Sequence, residues 1–390
     1  VKVLAICHWD LSKADAETAR KIALGRALVA LGVELTLMAP NLGRYPGDPG
    51  FDIRYVPALQ GRLSAHAYLL GLAGPLARFL RAEEPELVYL TDYTFSLPLL
   101  SLLRALGRRV VVEVNGVMVR DAERLGIRDP VRLAVIRHGS HVGLRRADHC
   151  IAVSEDVRRY LEDEVGLDPE RLSIVGNGVD PSLHRVLDRG ECRRELGLPV
   201  EAPLVGFIGG FWPWQGLERL IAAAPAVLAE RPETRFVLVG DGPERTRIEE
   251  LVRQAGLGEA VLMPGEVPLA DSPRWIGAFD IGVHLVAPGK ECSPVKLLCY
   301  MACGRPALVT KGVDGFASVA DGGCARLVDH GDAPGTAAAI LAMLGDSQLR
   351  ARMGAEGRRR AVTEASWEQR AQETLAILKT LAAPGPPNQT

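Results

Sequence analysis

The chain has 390 residues, 46 Lys and Arg against 48 Asp and Glu, a formal charge of −2, and 47% hydrophobic residues. At roughly 150 residues per domain, that length predicts two or three domains with ample core. The charge balance argues against a dedicated DNA-binding protein, and no apolar run reaches the ~18 residues of a membrane span. The best stretch, residues 97–106, holds Pro98 and Arg104. Val1 already opens a strand-like run, so no secretory leader is expected. Seven cysteines without a CxxC pair read as small buried hydrophobes of a reducing, cytoplasmic compartment.

VKVLAI (1–6) reads as a buried strand, followed by an amphipathic helix over 14–31, Gly32 as its stop and the strand VELTLMAP. A helix over 65–82 leads into PELVYLTD, and LPLLSLLRALG leads into RRVVVEVNG. A helix over 131–146 leads into ADHCIAVS, and one over 155–165 precedes LSIVGNGVD. Helices between short continuous apolar strands predict a parallel sheet covered on both faces. Residues 180–203 break this pattern with a polar, turn-rich connection. A second series then runs LVGFIGG, RFVLVGDGP, AVLMPGEV, DIGVHLV, PALVT and CARLV. The expected organisation is α/β, with doubly wound domains at 1–185 and 186–365, a terminal helix at 366–383 and a disordered tail at 384–390. Ligands of such sheets bind outside the carboxyl ends of the strands, so a cleft between the domains is the expected site.

Glycine is frequent, at 41 residues, and often follows a strand, as at Gly116, Gly176, Gly178, Gly209, Gly210, Gly240, Gly242 and Gly265. Each serves either a tight turn or the close approach of a ligand. No GxGxxG, GxxxxGK or GxSxG occurs, which argues against nicotinamide dehydrogenases, P-loop enzymes and serine hydrolases. His138, His141 and His149 lack acidic or thiol partners at ligand spacing, so no metal site is expected. No Asp-x-Asp pair is present. Seven arginines between Arg120 and Arg146 fit either a membrane surface or a solvated helical face, and interrupting acids favour the latter.

GKECSPVKLLCYMACGRPALV (289–309) carries the most chemistry. Ser293 is a good N-cap, Pro294 suits the first helical position and Gly304 is a stop, which predicts a helix over 294–303. Its bare N–H groups and positive dipole end make an anion site. Lys290 and Lys296, two of only seven lysines, fall at that end, and Glu291 precedes the cap.

This stretch resembles the signature E-x-x-S-P-x-K-L-x-E-Y-M-A-x-G-x-P of the family-4 (group 1) retaining glycosyltransferases with the GT-B fold. Supporting pieces occur in the family's order: VEVNG, ADHCIAVSEDVRRYL, SIVGNGVD, PWQGLERLI, FVLVGDGPER, MPGEV and SWE. The likeness thus spans nearly the whole chain. It implies two Rossmann-like parallel-sheet domains facing a cleft, the C-terminal one holding a nucleotide-sugar and the N-terminal one presenting the acceptor. By the resemblance, Glu291 holds the donor sugar's hydroxyls, with the amides of Cys292 and Ser293 beside it. Lys296, Lys290 and the helix that Pro294 opens face the diphosphate, and Gly209 belongs to the donor site's glycine turn. Gly265 to Val267 bracket the base, and Asn115 lies near the reacting sugar. His8 and Asp10 are acceptor-side candidates.

Three departures stand out. Cys299 replaces the signature's second acid, which grips the ribose. A charge-assisted hydrogen bond is worth roughly 1.5–3 kcal/mol, so its loss weakens donor affinity. The family's basic pair near the glycine turn maps onto Gly210 and Gln215, and the first strand lacks its glycine turn. The expected function is a metal-independent retaining glycosyltransferase, without cofactor, that moves a sugar from a nucleotide diphosphate to a sugar or glycolipid acceptor in envelope polysaccharide or glycolipid synthesis. It would be cytoplasmic with no nucleic-acid partner, and the resemblance leaves open peripheral contact at the inner membrane face through 120–146. The main rival is a degenerate GT-B scaffold that binds a partner or sugar without transfer, and a GT-B epimerase is a third reading that the motifs fit less well.

Overall fold

A computed structural model describes residues 1–13, 16–58, 64–91, 96–124, 126–287 and 294–383. The chain divides into Val1–Asn177 with Trp367–Thr390, and Gly178–Ser366.

The first unit holds a seven-stranded sheet of β1 (Lys2–Ile6), β2 (Glu34–Pro40), β3 (Asp52–Val56), β4 (Leu87–Thr91), β5 (Val110–Val114), β6 (His149–Ala152) and β7 (Leu172–Ile174). Its order is β3-β2-β1-β4-β5-β6-β7, with every pairing parallel. Central strands such as β5, VVVEV, are buried along their whole length, as expected of a sheet covered on both faces. The strand β3 escapes the sequence reading because DIRYV alternates charged with apolar residues at the sheet edge.

The second unit holds six strands: β8 (Leu204–Ile208), β9 (Arg235–Val239), β10 (Val261–Gly265), β11 (Ile281–His284), β12 (Ala307–Thr310) and β13 (Ala325–Val328). Their order is β10-β9-β8-β11-β12-β13, again all parallel. Both units are doubly wound α/β sheets whose strand order reverses once, between β1 and β4 and between β8 and β11. At such a reversal the connections leave in opposite directions and open a crevice at the strands' carboxyl ends.

The unit boundaries fall at 177/178 and 366/367, against the expected breaks at 185/186 and 365/366. Val179 is tied to the second unit, where its N–H donates to the Ala365 carbonyl at 2.9 Å and it bridges to Ser366. The helix Trp367–Ala382 returns to the first unit. Its Ala371, Leu375 and Leu378 join Val3, Leu24, Leu28, Leu87, Val111 and Ile151 in one apolar cluster. The expected tail, 384–390, lies outside the described residues.

Candidate functional site

In the second unit the described helix runs Val295–Ala302, one residue short of the expected 294–303 at each end. Pro294, with φ −78° and ψ 35°, is the N-cap rather than the first helical residue. Its carbonyl accepts the first helical bond, from Leu298 N–H at 2.9 Å. The far end closes as the glycine predicts. Gly304 takes φ +67°, its N–H donates to Met301 and the Arg305 N–H donates to Tyr300, which is a Schellman motif. Glu291, Cys292, Ser293 and Lys290 lie outside the described residues.

Lys296 folds from the first turn of this helix onto the end of β8. A Cβ added to Gly209 would sit 2.2 Å from Lys296 Cε and 3.1 Å from its Nζ, so a side chain there would displace the end of the lysine. Gly209 also takes φ +139°, a conformation that side-chain-bearing residues rarely adopt. The ammonium rests over the Phe207 ring, 5.7 Å from its centroid. The structure thereby brings together Lys296 and Gly209, 87 positions apart in sequence, at the switch point between β8 and β11.

The neighbouring turns are built from the remaining glycines. The Gly240 N–H donates to the Gly265 carbonyl at 2.8 Å, and a Cβ on Gly240 would lie 2.1 Å from the Gly209 carbonyl oxygen. Gly210 is covered by the Trp212 indole rather than open. Gln215 is buried, and its Oε1 has no hydrogen-bond partner among the described residues. Val267 packs against the apolar cluster around Ile276 and Phe279. Cys299 is a partly exposed residue on the same cluster, and burial pushes its thiol up to about 12 against the opposing pull of Lys296.

His284, the last residue of β11, was not singled out from the sequence. It is 1% exposed, its ring centroid lies 5.0 Å from that of Phe316, and neither ring nitrogen has a partner among the described residues. Burial, reinforced by the Lys296 charge, holds its pKa well below the ordinary value and keeps the ring neutral. The available signal was a histidine closing an otherwise apolar strand, DIGVHLV.

In the first unit, Asn115 follows β5 and its Nδ2 donates to Glu17 at 3.1 Å, while its Oδ1 is buried without a partner among the described residues. Glu17 also pairs with Lys21 at 3.0 Å. His8 follows β1, and burial, with a smaller contribution from Lys21, lowers its pKa to about 4. Asp10 is spent on a local turn, its Oδ1 accepting from the Ser12 backbone N–H and hydroxyl at 3.1 and 2.7 Å. Beneath them lies an ion pair that the sequence reading missed, between Arg20 and Glu113 at 2.8 Å, 4% and 2% exposed. Tyr89 donates to Glu113 at 2.7 Å and Arg20 to Asn177 at 2.6 Å. Burial alone would raise the Glu113 carboxyl, but Arg20 holds it down at about 2. A charge inside VVVEV was the only sequence signal.

Among the described residues, no group of three His, Cys, Asp or Glu could hold a metal ion. His141 and His149 bond instead to Tyr160 at 3.0 Å and Ser173 at 2.8 Å. Arg120, Arg124, Arg128, Arg145 and Arg146 each bond to a nearby acceptor within the unit. No described helix is long and apolar enough to cross a membrane.

Residues 202–346 match the family model described as "Glycosyl transferases group 1", and residues 22–183 match "Glycosyltransferase Family 4". The chain belongs to the family-4 glycosyltransferases. Among curated relatives of this family, it is 33% identical to D-inositol 3-phosphate glycosyltransferase 2 of Catenulispora acidiphila, over 52% of this chain and 49% of that protein. It is 28% identical to alpha-maltose-1-phosphate synthase of Mycolicibacterium smegmatis, over 88% of this chain and 89% of that one. The chain spans about half the length of the curated relatives it matches first. The fold matches HepE from Anabaena, solved in complex with UDP-glucose, with a TM-score of 0.73 and 19% identity over 97% of this chain and 99% of that chain. Each unit is a Rossmann-like parallel sheet, as in proteins of the GT-B fold.

Proposed function

We propose that the chain is a retaining, metal-independent glycosyltransferase. It takes a sugar from a nucleoside-diphosphate donor bound at the carboxyl ends of β8 and β11 and passes it to a sugar or glycolipid acceptor. The observation that carries this reading is Lys296 laid over Gly209 at the switch point, beside the N-terminus of its own helix. An ammonium and bare helix amides together suit a diphosphate, whose charge grows as the glycosidic bond breaks. The anomeric carbon–phosphate oxygen bond breaks, the acceptor hydroxyl forms the new bond on the same face, and its proton passes to the leaving phosphate oxygen. No paired carboxylates are needed for that route, unlike glycoside hydrolysis. By the family signature, Glu291 would hold the donor sugar's hydroxyls. The nucleotide-sugar donor is in keeping with the UDP-glucose bound to HepE.

Removal of the charge by Lys296→Ala is expected to lower turnover by about 100-fold or more, in the range found for a lost oxyanion-stabilising donor. A donor panel with product analysis checks it, and full turnover by the variant would remove Lys296 from the mechanism. Cys299, Gly210 and Gln215 favour the non-catalytic scaffold as the second reading. Donor binding without transfer to any acceptor would decide for it.

A further inference from the structure

The glycine turn after β8 carries two side chains, not one. As Lys296 fills the space above Gly209, the Trp212 indole fills the space above Gly210. A Cβ at Gly210 would lie 2.7 Å from Trp212 Nε1 and 3.0 Å from its Cδ1. Consecutive Cα atoms are about 3.8 Å apart, so an ammonium and an indole N–H stand over adjacent residues of one turn. The indole is fixed rather than loose, because it stacks on Trp214 with ring centroids 5.3 Å apart and planes 3° apart. The Gln215 N–H donates to the Trp212 carbonyl at 3.0 Å, and the Ala287 N–H to that of Trp214 at 3.3 Å, which tie this turn to the segment after β11.

Trp212 is 40% exposed, and its N–H has no acceptor among the described residues, which leaves it available to a ligand. An indole N–H is a donor without acceptor capacity, so it suits an oxygen-rich anion. A neutral donor also avoids placing a second cation beside Lys296.

We infer that the Trp212 indole N–H is a further donor-binding group, which hydrogen-bonds to the diphosphate of the nucleotide-sugar alongside the Lys296 ammonium. The inference rests on the proposed function. It also explains how the turn manages without charge at Gly210 and Gln215: the indole occupies the ground where a side chain at 210 would begin.

Calorimetry with UDP, GDP and ADP, and with the matching nucleosides followed by ligand NMR, tests this on Trp212→Phe, which keeps the ring and its stack. The variant is expected to bind the preferred diphosphate at least about ten-fold more weakly, the low end for a hydrogen bond to a charged group, with nucleoside binding unchanged. Equal losses for diphosphate and nucleoside would overturn the assignment in favour of stacking on the base. Unchanged diphosphate affinity would overturn it outright while leaving the proposed function standing. Absence of binding by the unsubstituted protein would end both.

Discussion

The switch points of the two sheets are furnished in opposite ways. In the first unit both carboxylates are answered, buried Glu113 by Arg20 and Tyr89, and half-buried Glu17 by Lys21 and Asn115. In the second unit Gln215 Oε1 and both His284 nitrogens are buried without partners among the described residues, and the Lys296 ammonium leans over Gly209. An unsatisfied buried polar group costs about 1–3 kcal/mol, so each such atom weighs against stability until something meets it. The first unit pairs its buried charges, although Asn115 Oδ1 and Arg20 Nε stay without partners among the described residues, whereas the open groups of the second unit are neutral amide and imidazole atoms.

The sharpest way to break this contrast is Glu113→Gln, which leaves the Arg20 guanidinium buried without its counter-charge. Loss of one partner of a buried pair costs about 3–5 kcal/mol. Urea unfolding is expected to show a loss in that range. A loss below about 1 kcal/mol would mean that water or Asn177 already neutralises the arginine.

His8 tests the same unit by pH. Its pKa is about 4 in the fold against an ordinary 6.5. Above pH 6.5 the ring is neutral in both states and contributes nothing. As pH falls from 6.5 towards 4 the unfolded chain takes up the proton first, and stability drops by up to about 3 kcal/mol. The melting temperature of the unsubstituted protein should therefore fall more steeply than that of His8→Gln between pH 7 and 4.5. Parallel profiles would place the ring in water.

The smallest expected effect sharpens the comparison from the other side. Replacement of the buried amide in Gln215→Leu is expected to raise stability by about 1 kcal/mol, read from urea midpoints. A stability loss instead would show that the amide is satisfied without ligand.

Much of the second unit was legible in the sequence because its strands are short apolar runs ended by glycine, and the helix stop at Gly304 follows from left-handed backbone that glycine alone tolerates cheaply. Family likeness pointed to Lys296, and its seat over Gly209 then explains why that position lacks a side chain. The Arg20–Glu113 pair was not legible, since its partners are 93 positions apart and nothing local announces the match. Nor was the indole over Gly210, because rotamer choice follows from the Trp212–Trp214 stack and not from residue order. The edge strand β3 was missed because its half-wet face hides the apolar run that marks its neighbours.

The return of Trp367–Ala382 to the first apolar cluster makes Gly178–Ser366 an insertion within the other unit. Synthesis thus begins one sheet, builds the second in full, and only then releases the helix that seals the first. The half begun earliest matures last, and a chain halted between the end of β7 and residue 367 would hold an α/β sheet with one flank bare. Exchange between relatives is constrained likewise: the inserted half can move as a cassette with two junctions, whereas the outer half travels only if both of its pieces go together.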